Sequence, residues 1–284
     1  MTTIKLTKMQ GCGNDFVILD YDEYKKTGMP MPELAKKLCD RHFGVGADGM
    51  IIPDCNTDKS SNIGEPVDIG WYFYNSDGSI AQMCGNGMRC FAKYVYDKGL
   101  VNKKEFSVMT GAGVIKPEIS DDGNVRVDMG IPILEDSKIP FKGERRLKAL
   151  DREFEITPVS MGNPHCVIIV DDEPMEMAVK YGPVIEKHEY FPEKTNTEFV
   201  KILSGAEIDM CVYERGCGIT LACGTGACAS VVACVLNNLT EQKVKVNLPG
   251  GSVYVEWQGN RANFAKNIYL MGPANYSFTA EYML

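Results

Sequence analysis

The chain of 284 residues carries 30 Lys and Arg against 38 Asp and Glu, a formal net charge of −8, with 44% hydrophobic and 24% charged residues. This composition excludes an intrinsically disordered chain and argues against one that works by wrapping nucleic acid, which needs an excess of basic residues to neutralise phosphates. At roughly 100–200 residues per domain, the length predicts two domains. Residues 1–6 lack the apolar stretch of a secretory signal, and no apolar run approaches the roughly 18 residues of a membrane helix. Eleven cysteines is an odd number in a chain too long for a disulfide-stapled scaffold. The expectation is a cytoplasmic protein with no membrane and no nucleic-acid partner, its cysteines held as thiols in a reducing compartment.

In chain order, residues 4–9 alternate as a strand does, and 16–20 form a compact apolar run. The turn-rich Gly11-Cys12-Gly13-Asn14-Asp15 lies between them. Residues 32–39 read as a short amphipathic helix with Pro32 in its first turn. Residues 54–67 are polar and bear Pro and Gly, an exposed excursion. Residues 71–74 form a strand closed by the turn 75–79, and further strands fall at 167–170, 199–202, 209–213, 244–248, 252–257 and 267–271. The clearest longer helix spans 222–237, apolar almost all round and therefore buried.

One pattern repeats. Met83-Cys84-Gly85-Asn86-Gly87 resembles Ala222-Cys223-Gly224-Thr225-Gly226, and the two cysteines lie 139 positions apart (84 to 223), close to half the chain. Each unit precedes an apolar helical stretch. Nine positions upstream stand Asn75 and Glu214, the latter followed by Arg215. A second echo pairs the segments starting at Asn14 and Asn163. Two similar domains related by duplication account for this most simply.

A cysteine before a Gly-X-Gly turn that opens a helix sits at the helix's positive end. Exposed backbone N–H groups there bind anions, and the same location lowers a thiol's pKa. Alternatively, each cysteine is a small buried hydrophobe. Two such helix ends facing one ligand would place a thiol on each face of a carbon and hold its carboxylate with amides. That arrangement suits removal of a proton from one face and return to the other. No Cys-X-X-Cys pair or His-Glu-X-X-His supplies a metal site. Gly44-Val45-Gly46-Ala47-Asp48-Gly49 matches G-x-G-x-x-G but follows no clear strand, which argues against a dinucleotide site.

At these residues the chain resembles the diaminopimelate epimerase family, from Lys8-Met9-Gln10-Gly11-Cys12-Gly13-Asn14-Asp15-Phe16 to Met271-Gly272-Pro273-Ala274. The resemblance is strongest at Cys84-Gly85-Asn86-Gly87-Met88-Arg89-Cys90, at Met161-Gly162-Asn163-Pro164-His165, and from Glu214 to Gly226. It implies an α+β (mixed α/β) fold of two pseudo-symmetric domains, each a sheet wrapped around a central helix, with the active site in the cleft between them. The expected halves are 1–128 plus 274–284, and 129–273. It also implies an isomerase needing no pyridoxal phosphate or other cofactor and no metal, acting on LL- and meso-diaminopimelate in lysine and peptidoglycan precursor biosynthesis. Cys84 and Cys223 would be the two bases, with Glu214 and His165 as further catalytic residues near the thiols, binding ammonium or assisting proton exchange. Gly85, Asn86, Gly224 and Thr225 would hold the reacting carboxylate through backbone amides. Asn14, Asn75, Asn163, Asn196, Glu214 and Arg215 would bind the rest of the substrate, Arg215 clamping its distal carboxylate. A homodimer is among the expectations.

Read without the resemblance, Asn75, Asn163 and Asn196 are also turn residues, Glu214-Arg215 a surface ion pair, and His165 a core histidine. Some family members carry Phe-Asp-Gln where this chain has Ala47-Asp48-Gly49, so a substrate-contacting glutamine is absent. Two other readings compete: a related racemase of proline, hydroxyproline or histidine, and a non-catalytic amino-acid-binding homologue. Proline racemases usually have Cys-Gly-His where this chain has Cys84-Gly85-Asn86.

Overall fold

The computed structural model describes residues 2–55 and 67–284. Most of the excursion expected at 54–67 therefore lies outside the described residues. The chain divides into two compact units, one of residues 1–127 with 272–284 and the other of 128–271.

The first unit contains β1 (Thr3–Gly11), β2 (Asn14–Ile18), α1 (Tyr21–Thr27), α2 (Met31–Cys39), β3 (Gly49–Asp54), β4 (Ile69–Asn75), α3 (Gly85–Asp97), β5 (Val108–Thr110) and β6 (Gly113–Ile115). The hairpin of β7 (Glu118–Ile119) and β8 (Val125–Asp128) follows. The second unit contains β9 (Arg146–Ala149), β10 (Arg152–Glu155), β11 (Thr157–Ser160), β12 (Pro164–Ile169), α4 (Pro174–Ile185), β13 (Asn196–Ser204) and β14 (Glu207–Glu214). It continues with β15 (Gly218–Ile219), α5 (Gly224–Leu236), β16 (Lys243–Leu248), β17 (Gly251–Trp257) and β18 (Ile268–Gly272). The last strand, β19 (Asn275–Met283), pairs with β1, so the C-terminus returns to the first unit.

The first unit's sheet runs β19-β1-β2-β3-β4-β5-β6. Side chains alternate across it. Ile4, Leu6, Val17, Leu19, Met50 and Ile52 form one face and pack with Leu34, Ala35 and Leu38 of α2. Phe16 and Ile51 belong to the other face and meet α3, where a Cβ on Gly87 would lie 3.5 Å from each. In the second unit, Cys166, Ile168, Phe199 and Cys211 pack with Met177, Ala178, Tyr181 and Ile185 of α4. The nearly all-buried α5 packs against β11–β14 and β17.

The duplication is written in the strand pairing. In the first unit the pairs β1/β2, β2/β3, β3/β4, β4/β5 and β5/β6 are antiparallel, parallel, antiparallel, parallel and antiparallel. The pairs β11/β12, β12/β13, β13/β14, β14/β16 and β16/β17 follow the same order. In each unit one or two helices fill the first parallel crossover and the buried helix, α3 or α5, fills the second. The result is the mixed α/β fold of two sheet-rich units, each with a central helix, that the resemblance implies.

The strands expected from the sequence coincide with or overlap β1, β2, β4, β12, β13, β14, β16, β17 and β18, whereas β3, β5–β11, β15 and β19 were not read from the pattern. Two helices were not foreseen. α1 is a short helix with no buried residue, so it has no apolar period to read. α4 contains Gly182-Pro183, which reads as a break, yet Pro183 falls near the helix end. Gly182 is required there because a Cβ would sit 2.5 Å from Cβ of Tyr213.

Candidate active site

In the first unit, Cys84 is the N-cap of α3, with extended backbone (φ −146°, ψ 121°), and its Sγ accepts the Gly87 N–H at 3.4 Å. Gly85 and Asn86 occupy the first turn, where backbone amides point away from the helix body and suit an anion. Gly49, at the start of β3, lies opposite Phe16 of β2 and Asn75 at the end of β4. The ends of three adjacent strands thus bring Asn14, Asp48 and Asn75 to one place. Asn14 reaches the helix end directly: its Oδ1 accepts from the Cys84 thiol at 3.6 Å and from Asn86 Nδ2 at 3.2 Å. Asn75 is exposed and donates through Nδ2 to Ser79 Oγ at 2.9 Å. A Cβ at Gly49 would meet Phe73 Cε2 at 2.7 Å and the Tyr74 carbonyl at 2.8 Å, so this packing has no room for the glutamine of other family members.

The second unit repeats the arrangement. Cys223 is the N-cap of α5 (φ −124°, ψ 109°), and its Sγ accepts the Gly226 N–H at 3.4 Å. Gly224 and Thr225 occupy the first turn, and Thr225 Oγ1 lies 3.5 Å from the sulfur. Asn163, just before β12, donates through Nδ2 to Thr225 Oγ1 at 3.4 Å. His165 Nε2 lies 3.0 Å from Asn163 Oδ1, and His165 Nδ1 lies 2.7 Å from Glu198 Oε1. His165 is fully buried and is linked to the sulfur through Asn163 and Thr225.

Glu214 ends β14, as Asn75 ends β4, and accepts a hydrogen bond from Thr220 Oγ1. Asn196 begins β13 in register with His165. Both its polar ends are engaged: Nδ2 donates to the Pro164 carbonyl at 2.9 Å and Oδ1 accepts the Arg215 N–H at 3.0 Å. It braces the loop that carries Arg215, whose exposed side chain donates to the Glu193 carbonyl at 3.3 Å.

Glu198 escaped the sequence reading. It is fully buried, its Oε2 has no hydrogen-bond partner among the described residues, and its Oε1 lies 2.8 Å from where a Cβ on Gly226 would stand. The available signal was a lone carboxylate within the apolar strand 196–202. Electrostatics also differ from the sequence expectation at Cys223. Burial, then the Glu214 and Glu198 carboxylates, push its thiol well above the ordinary range, against the lowering effect of Thr225 and the Gly226 amide. The helix end alone therefore does not make this cysteine a thiolate.

Among the described residues no group of three His, Cys, Asp or Glu is placed to hold a metal ion. No helix among them is long and apolar enough to cross a membrane. All 11 cysteines carry free thiols.

Solved structures define the class of fold. A phenazine biosynthesis protein of the PhzF family from Bacillus anthracis superposes with a TM-score of 0.74 at 16% identity, covering 100% of both chains. A hydroxyproline epimerase from Agrobacterium vitis superposes with a TM-score of 0.68 at 13% identity, covering 99% of this chain and 93% of that one. Two sheet-wrapped helices are thus a fold shared with such proteins. Sequence similarity is narrower. The diaminopimelate epimerase family model matches residues 6–135 and 157–277. The diaminopimelate epimerase of Desulfitobacterium hafniense is 48% identical over 97% of this chain and 96% of its own length. The chain belongs to the diaminopimelate epimerase family.

Proposed function

We infer that the protein is a cofactor-independent diaminopimelate epimerase, an isomerase that interconverts the LL and meso forms by two-base proton transfer at one α-carbon. It serves lysine and peptidoglycan precursor biosynthesis in the cytoplasm, and a homodimer is its expected assembly. The observation that carries this reading is the pair of cysteines capping equivalent helices, each with its sulfur on the amide three residues on.

In this mechanism the substrate's α-carboxylate binds the first-turn amides of Gly85, Asn86, Gly224 and Thr225. One cysteine, as thiolate, takes the α-proton. The developing negative charge spreads onto the carboxylate, where the helix ends stabilise it. The other cysteine, as thiol, delivers a proton to the opposite face, so one thiolate and one thiol remain with roles exchanged. The raised Cys223 thiol supports starting one direction with Cys223 as the donor. Glu214 suits the substrate ammonium, Arg215 the distal carboxylate, and Asn14, Asn75 and Asn163 the polar groups near the reacting carbon. Asn196 and His165 support these residues from behind.

The test is turnover of LL-diaminopimelate, proline, 4-hydroxyproline and histidine without added cofactor. Only diaminopimelate is expected to react, and Cys84→Ser or Cys223→Ser is expected to lower kcat by about 10²–10⁴-fold. Turnover of proline alone, or full activity in either serine variant, would contradict the reading. Tight binding of diaminopimelate without conversion would identify a binding protein instead.

A further inference from the structure

The two amides beside Cys84 form a directional chain whose ends are charged. Arg89, fully buried in α3, donates through Nη1 to Asn86 Oδ1 at 2.7 Å. Asn86 donates through Nδ2 to Asn14 Oδ1 at 3.2 Å. Asn14 donates through Nδ2 to Asp48 Oδ2 at 2.6 Å. A cation thus stands at one end, an anion at the other, and both intervening amides point the same way.

An amide taken alone can turn over, exchanging its oxygen and nitrogen. Here the ends forbid it. Arg89 has only N–H groups to offer, so Asn86 must face it with oxygen. The Asp48 carboxylate accepts, so Asn14 must face it with nitrogen. Asp48 is itself anchored, because its Oδ1 accepts from Arg41 at 2.7 Å and its Oδ2 also accepts the Asp15 N–H at 3.1 Å. Arg41 is held in turn by Asp15 at 2.9 Å, and Asp15 by the buried Lys8 at 2.7 Å. Hydrogen bonds aligned in series polarise one another.

The consequence falls on the sulfur. The fixed orientation leaves Asn14 Oδ1, an acceptor, toward Cys84, and an acceptor favours the protonated thiol. A turned amide would offer a donor and favour the thiolate. We propose that Asp48 is a positioning residue that, through Asn14 and opposite Arg89, sets which protonation state of Cys84 is favoured. The idea rests on the two-cysteine reading above, but its test does not.

The experiment measures iodoacetamide alkylation of Cys84 by peptide mass spectrometry across pH, in the full chain without substrate. Asp48→Ala and Asp48→Leu remove the acceptor that holds Asn14 Nδ2 and are expected to speed Cys84 alkylation about fivefold at neutral pH, leaving the exposed Cys217 unchanged. Asn14→Asp, which puts an anion at the sulfur, is expected to slow it by a similar factor. Cys84 rates unaffected by all three changes overturn the proposal. So does an equal acceleration at the buried Cys39 and Cys90, because the carboxylate would then only hold the unit together. If the wild type fails to turn over diaminopimelate yet the alkylation rates shift as described, the functional reading fails and the positioning role stands.

Discussion

The two cysteines share a backbone position, each capping a helix with its sulfur on the amide three residues on. Cys223 is buried against two carboxylates, Glu214 and Glu198. Cys84 is half-buried beside two amides. Glu214→Gln removes one charge that opposes the Cys223 thiolate, so the thiol should titrate at lower pH. Cys223 alkylation at a fixed, mildly alkaline pH is then expected to accelerate several-fold, and an unchanged or slower rate would count against Glu214 acting on the sulfur through its charge. Both cysteines were legible in the sequence because their glycine context recurs, whereas Glu214-Arg215 stood out only through the family resemblance. Glu198, Asp48 and Arg89 were not legible, since each acquires its role through strand register or helix packing. Asp48 stands 34 positions from Asn14 and meets it only because β2 and β3 pair in parallel.

Elements explain how short segments hold these residues still. The β1–β2 hairpin is locked by Asp15, which bonds Lys8 on the neighbouring strand and Arg41 beyond α2. Burial alone would raise the Asp15 carboxyl, but the bonds to Arg41 and Lys8 outweigh it and hold it below the ordinary value. The sign follows: with a depressed folded value, the stabilisation is complete above the unfolded value of about 3.9 and is lost as pH falls through the lower folded value. Chemical denaturation between about pH 2 and pH 5 should show stability rising with pH, and Asp15→Asn should flatten part of that slope. An identical slope in the variant would refute the role. Strand positions were legible from alternation, as in β1 and β17. α4 was hidden by Gly182-Pro183, since local propensity cannot report that Tyr213 from another strand needs the space.

The whole molecule is a doubled unit. The same order of parallel and antiparallel pairs recurs, and equivalent strand ends carry Asn14 and Asn163, then Asn75 and Glu214. Cys84 and Cys223 cap the equivalent helices. The repeat of Cys-Gly-X-Gly announced this architecture, whereas the pairing order needed long-range contacts to be seen. Each unit thus carries a cysteine at the start of its own buried helix. The central claim is that both cysteines act on one carbon, each from its own face. It is tested most directly by isotope tracing of LL-diaminopimelate turnover in deuterated buffer at low conversion. The account predicts meso product carrying one deuterium at the inverted α-carbon while the remaining substrate stays unlabelled. Product without deuterium, or substrate and product labelled equally from the start, would contradict it.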